Sequence, residues 1–122
     1  MSFDWLHYLN LALELSDQAA SSKHRDAKLR SSISRAYYAT FHKSRQLLNH
    51  KWGISIPKGP NAHKQVQNEF KRRKQYGIQE NLYRMRGYRN KADYDDEFAD
   101  LEGTARENIW RAKQVLSCLR CL

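Results

Sequence analysis

The sequence predicts an all-α protein, on three observations. Apolar residues recur at three- and four-residue spacing in five successive segments, the pattern of helices that each bury one face. Only 5 glycines and 2 prolines interrupt 122 residues, and both prolines fall in one stretch. No segment alternates apolar and polar residues for long enough to read as a strand. At this length residues 1–122 make one domain with room for one hydrophobic core.

The first helix is expected over residues 4–20, with Ser2 or Asp4 as its cap. Leu6, Leu9 and Leu13 set its stripe, and Trp5, Ala12, Leu15 and Ala19 widen it. Ser21-Ser22-Lys23 breaks the pattern. A second helix follows over about 25–50, its core side built from Leu29, Ile33, Ala36, Tyr37, Thr40, Phe41, Leu47 and Leu48. Residues 51–61 carry Pro57 and Pro60, which cannot sit inside a helix. This loop is short and apolar, so Trp52, Ile54 and Ile56 should pin it to the bundle. A third helix over 62–75 has the narrow stripe Ala62, Val66, Phe70, and Tyr76-Gly77 is expected to stop it. The fourth, about 79–91, buries Leu82, Met85 and Ala92, with Arg89 in the same row. The fifth, about 100–119, buries Leu101, Ala105, Ile109, Ala112, Val115, Leu116 and Leu119.

The formal net charge is +9, from 22 Lys and Arg against 13 Asp and Glu. Such an excess points to an anionic partner, of which nucleic acid is the commonest. The charge is also segregated. Residues 58–91 hold ten basic residues and two acids, whereas 93–107 hold seven acids and one arginine. A cationic surface with an acidic border can hold a phosphodiester and repel misplaced backbone. No apolar run is long enough to span a membrane, no lipidation motif accompanies the charge, and the N-terminus does not read as a signal peptide. No membrane partner is expected, and the expected location is the cytoplasm.

Two groups of residues are candidates for chemistry. Arg84 to Glu97 runs three arginines and a lysine into four carboxylates, with Tyr94 at the junction. It reads as a cationic helix ending in an acidic turn, near the N-terminus of the next helix, where anions are also favoured. The competing reading is an ion-paired helix end. The second group is one edge of the second helix, where Arg30, Ser34, Tyr38, His42, Arg45 and Asn49 step by three or four. There the alternative is a solvent face with a half-buried tyrosine pair. Lys71-Arg72-Arg73-Lys74 suits either RNA or the negative end of a helix dipole.

Several activities have no support. There is no phosphate-cradling glycine loop and no H-E-x-x-H. The five histidines lack metal-ligand spacing, and Asp93, Asp95, Asp96 and Glu97 fit no calcium-loop order. Neither a metal nor an organic cofactor is expected. Cys118 and Cys121 form a lone C-x-x-C at a helix C-terminus, where the dipole disfavours a thiolate, and read as packing or fraying residues.

Two blocks resemble a known family. Ser34-Arg35-Ala36-Tyr37-Tyr38-Ala39-Thr40-Phe41-His42 is similar to the S-R-x-Y-Y-A-x-F-H helix of small prokaryotic HEPN-domain proteins. Arg89-Asn90-Lys91-Ala92-Asp93-Tyr94 is similar to their R-N-x-x-D-Y block. The resemblance covers nearly the whole chain and implies an antiparallel bundle of four to five helices, usually dimeric. Many such proteins are metal-independent endoribonucleases, some of them toxins of toxin–antitoxin pairs, whose R-x(4–6)-H motifs meet across a dimer cleft. Arg89 falls on the motif arginine and Asn90 on the polar position after it. A four-residue gap puts Tyr94 where the histidine belongs, and no histidine follows His63. Some HEPN toxins carry a tyrosine two residues further on that a nucleotidyltransferase modifies with AMP; here that position is Asp96, so this control does not transfer.

The resulting expectation is an RNA-directed protein, with Arg89, Tyr94, His42, Asn90 and Asp93 as catalytic candidates. Arg35, Tyr38, Arg45, Arg72, Arg73, Arg86 and Lys91 are the RNA-binding candidates, with aromatic stacking by Tyr38, Tyr83 or Tyr88 a further means of holding RNA. Arg89 suits charge stabilisation at phosphorus, because guanidinium stays protonated and forks onto phosphate. A tyrosine, with a reference pKa of about 10 against about 6.5 for histidine, is a poor base but a usable acid. His42 would supply the missing imidazole if its edge of the helix faces Arg89. Partners are RNA, a second copy of the chain, and an antitoxin or a nucleotidyltransferase. The alternative is a non-catalytic HEPN module that binds RNA, a nucleotide or a nucleotidyltransferase.

Overall fold

A computed structural model describes residues 2–122, which form five α-helices and no strand. These are α1 (Leu6–Ala19), α2 (Arg25–Trp52), α3 (Ala62–Arg72), α4 (Tyr76–Tyr94) and α5 (Leu101–Arg120). The chain is an all-α bundle. The longest helix, α2, is its axis and touches all four others. It can do so because Ala36, Ala39, Thr40 and Ser44, all fully buried, keep parts of its surface small. Its larger residues Leu29, Ile33, Tyr37 and Leu48 fill the space between neighbours. The buried faces expected on the other helices are present, including Ala62, Val66 and Phe70 on α3 and Leu82, Met85 and Ala92 on α4. Among the described residues no helix is long and apolar enough to cross a membrane.

Helix ends differ from the sequence pattern where backbone geometry decides. Helix α2 runs on to Trp52, because Gly53 adopts a left-handed conformation and closes it. The Gly53 and Ile54 N–H groups donate to Asn49 and Leu48 carbonyls at 2.9 and 3.1 Å, satisfying the last turn. Trp52, Ile54 and Ile56 then pack on the core, as expected of the loop. Helix α3 stops earlier than expected. Lys74 takes the left-handed position at φ 60°, and Gln75 N–H reaches back to the Phe70 carbonyl at 2.9 Å. Tyr76-Gly77 therefore opens α4 rather than ending α3.

The end of α4 matters most for the site. The helix continues to Tyr94, so Asp93 and Tyr94 lie on its last turn, not in an acidic turn beyond it. Carboxylates are unfavourable at a helix C-terminus. Arg30 of α2 offsets this by donating to the Ala92, Asp95 and Asp96 carbonyls at 3.0, 2.5 and 3.1 Å. A small apolar cluster of Leu29, Ile33, Ala92, Leu101 and Ala105 anchors the same end. Asp100 caps α5 with its carboxylate, which accepts from Gly103 N–H at 3.3 Å. A Cβ at Gly103 would lie 2.4 Å from that carboxylate, so any larger residue there would push the capping side chain aside. The first turn of α5 is thus occupied by the chain's own acid.

Candidate phosphate-binding cleft between α2 and α4

Helical spacing puts Arg89 in the buried row of α4, three residues before Ala92 and four after Met85. Its side chain is only 14% exposed. It lies across the polar edge of α2, where the guanidinium meets Tyr38. One Nη donates to the Tyr38 hydroxyl, and the guanidinium carbon lies 5.0 Å from the Tyr38 ring centroid. The other Nη donates to Asn90 Oδ1 at 2.6 Å. Nε is 3.1 Å from Asp93 Oδ2, an ion-pair distance, but its N–H is not aimed at that oxygen and has no hydrogen-bond partner. Ser34 Oγ donates to the same carboxylate oxygen at 3.4 Å. Of five guanidinium N–H donors, two make aligned hydrogen bonds here. Nε is buried against Asp93, so the donors left for an anion are the second N–H of each Nη.

These groups line an open cleft of about 510 Å³, walled by Arg30, Ser34 and Arg35 of α2 and by Arg89, Asp93 and Tyr94 of α4. Arg35 lies over the Tyr8 ring at 4.9 Å and the Tyr38 ring at 5.9 Å. Tyr94 is 75% exposed. Five of the sequence candidates therefore gather here: Arg89, Tyr94, Asp93, Tyr38 and Arg35. Asn90 reaches the cleft only through its hydrogen bond to Arg89.

His42 lies elsewhere. It is one turn beyond Tyr38 on α2, with ring centroids 6.2 Å apart, and it stacks on Trp5 at 3.6 Å. Its Nδ1 is buried without a partner. Burial first, then Arg45 and His63, holds its pKa down at about 4. His42 and Arg45 line a separate pocket of about 370 Å³ with Trp5, Phe41, His63 and the loop at Ile56–Gly59. Arg72 and Arg73 line neither cavity. Arg73 pairs with Glu69 at 2.6 Å and lies over the Trp52 ring at 4.8 Å, while Arg72 is 72% exposed. Arg86 and Lys91 share a groove on the flank of α4 that faces α3.

The structure adds His63, which the sequence did not single out. It opens α3, stacks on Phe41 at 4.3 Å, and its Nδ1 shares a 2.5 Å hydrogen bond with the buried Tyr37 hydroxyl. Its pKa is held at about 4, by burial and then by the Arg86 and Arg89 guanidiniums. Burial pushes the Tyr37 hydroxyl well above the usual tyrosine range. Of the two half-buried imidazoles, His63 is the one that feels Arg89. Nothing in the local sequence marks it, since it reaches the site across the bundle from α3. Arg30, which holds the last turn of α4 in place, was visible only as a member of the α2 edge.

Among the described residues no group of three or more His, Cys, Asp or Glu side chains could hold a metal ion. Cys118 and Cys121 are free and exposed. Compared with protein-family models, curated proteins and solved structures, the chain matches none.

Proposed function

We propose that the cleft between α2 and α4 binds a phosphodiester of RNA and cleaves it without a metal. The observation that carries this is Arg89, a nearly buried guanidinium with N–H groups to spare, held at the floor of a cleft by Tyr38 and Asn90. A positioned guanidinium in a partly dry site stabilises the charge that develops on a phosphate under attack. Tyr94 can donate its hydroxyl to the leaving oxygen. An imidazole is the group best suited to take the 2′-hydroxyl proton, and His63, which feels the Arg89 guanidinium, is neutral near pH 7, although its lowered pKa makes it a weaker base than a free histidine. The basic excess over residues 58–91 would hold the rest of the strand.

One copy of the cleft offers a charge and an acid but no imidazole in contact with Arg89. A two-fold dimer would double the groups, and the exposed Tyr94 at the cleft rim suits a second copy across an axis. The resemblance to HEPN proteins points the same way and is the sole basis for a role as the toxin of a toxin–antitoxin pair, acting in the cytoplasm.

A second reading is a HEPN-like module that binds RNA, a nucleotide or a nucleotidyltransferase without cleaving. It is favoured by Tyr94, which stands exposed in the position where the motif histidine belongs. Incubating mixed RNA with the protein in EDTA, wild type beside Arg89→Ala, separates the two. Cleavage that depends on Arg89 supports the nuclease. Binding without cleavage supports the module. A monomeric mass by light scattering at micromolar concentration would remove the dimer.

A further inference from the structure

The flank of α4 that faces α3 carries a feature that the Arg89 cleft does not use. Helices α3 and α4 enclose a groove of about 430 Å³ lined by Lys64, Gln67, Tyr83, Arg86, Asn90 and Lys91, with Arg84 at its edge. Arg84 is paired with Glu80 at 2.9 Å. Lys64, Arg86 and Lys91 make no ion pair among the described residues. Gln67 is 7% exposed, and its Nε2 has no hydrogen-bond partner. Arg86 Nε is also buried and unpartnered.

Orphaned buried donors are rare, because each leaves its desolvation cost unrecovered. A leucine would fill the Gln67 position without that cost. Two such donors on groove residues, beside two further unpaired cations, Lys64 and Lys91, form a site short of acceptors. A phosphate supplies acceptors and charge together. The exposed Tyr83 ring at the rim can stack a base beside it.

The groove and the Arg89 cleft share a wall. Asn90 lines the groove and accepts from the Arg89 guanidinium on the other side. Arg86 and Arg89 are one turn apart on α4, about 5–6 Å between Cβ atoms, within reach of neighbouring phosphates on an extended strand. We propose that the α3–α4 groove is a second phosphate subsite, which takes the phosphodiester adjacent to the one at Arg89 on a single RNA strand. The inference rests on the RNA reading above and adds the strand's course: across α4, from the α2 side to the α3 side.

The test uses the full chain and two probes: a fluorescein-labelled 2′-O-methyl oligouridylate, which lacks the nucleophile for self-cleavage, and uridine 5′-monophosphate. Gln67→Leu removes the orphan donor in a near-isosteric way and should melt at the same temperature as wild type or higher. It should bind the strand about ten-fold more weakly. Lys64→Glu and Lys91→Glu should each weaken strand binding and lower its salt slope by about one. Mononucleotide affinity should change less than two-fold, because one phosphate needs only the Arg89 cleft. Unchanged strand affinity in all three variants overturns the subsite. So does an equal loss for strand and mononucleotide, which would make the groove a pocket for free nucleotides. Either result leaves the nuclease reading standing if Arg89→Ala abolishes cleavage. Wild-type cleavage by Arg89→Ala sinks the nuclease reading and leaves the groove to be judged on strand affinity.

Discussion

The polar edge of α2 has two halves with the same sequence pattern and different surroundings. At one end Arg30, Ser34 and Tyr38 meet α4: Arg30 satisfies three carbonyls at its C-terminus, Ser34 donates to Asp93, and Tyr38 accepts from Arg89. At the other end His42 meets α1, where Trp5 covers its ring at stacking distance. The first half is a charged, open cleft; the second is an aromatic box with its imidazole kept neutral. A row on a helix fixes which residues adjoin one another along it. What each can do is set by the helix packed opposite.

The largest effect that can break this comparison is on cleavage. Arg89→Ala should lower the rate in EDTA by at least about 10²-fold, the usual loss when a transition-state charge donor is removed. His42→Ala should change it far less, because Trp5 and not Arg89 is its neighbour. Equal losses would erase the distinction between the two halves. His63→Ala then asks whether the imidazole nearer the guanidiniums is the base, and a fall comparable to that of Arg89→Ala would say so.

Tyr94→Phe should come next. The ring is exposed, so folding should be unaffected, and general-acid loss falls in the range of about 10²- to 10⁴-fold, no greater than for Arg89→Ala. An unchanged rate would take Tyr94 out of the chemistry and favour binding alone.

A structural effect of middle size sharpens the first half. Arg30→Leu leaves three carbonyls at the end of α4 without their charged donor. Urea unfolding should show a loss of about 1–3 kcal/mol, and hydrogen exchange should rise first near Asp93 and Tyr94. Stability equal to wild type would mean that water replaces Arg30 at no cost.

The smallest effect belongs to the second half and is read with pH. His42 and His63 have folded pKa values of about 4, below the reference value of about 6.5. Between these values the unfolded chain binds more protons than the folded one, so stability rises with pH across that window. It should be complete above about pH 6.5 and decline as pH falls toward 4. His42→Phe keeps a ring against Trp5 and removes one titration, so its melting temperature should fall less steeply over that range. An identical slope would mean His42 is not held neutral.

Much of the fold was legible because period and burial are local signals. The apolar stripes of α2, α3 and α4 named the residues that fill the core, and Arg89 stood in the row of Leu82, Met85 and Ala92, which the structure turns inward. Helix ends were read less well. Gly53 marks the end of α2 by residue type, whereas Lys74 carries no mark of the left-handed turn it adopts. In the site, the Arg89–Asn90–Asp93 group was recognisable because it lies within one turn of one helix. His63 and Arg30 were not, since each acts across the bundle on a residue distant in sequence. The sequence by itself determined five amphipathic helices, the segregation of charge and the inward row that holds Arg89, because each follows from residue type and helical period. Only the tertiary structure decided that Tyr38 rather than His42 faces Arg89, and that Gln67 and Arg86 keep buried donors unpaired. Those outcomes depend on how helices pack against one another, which no single helix encodes.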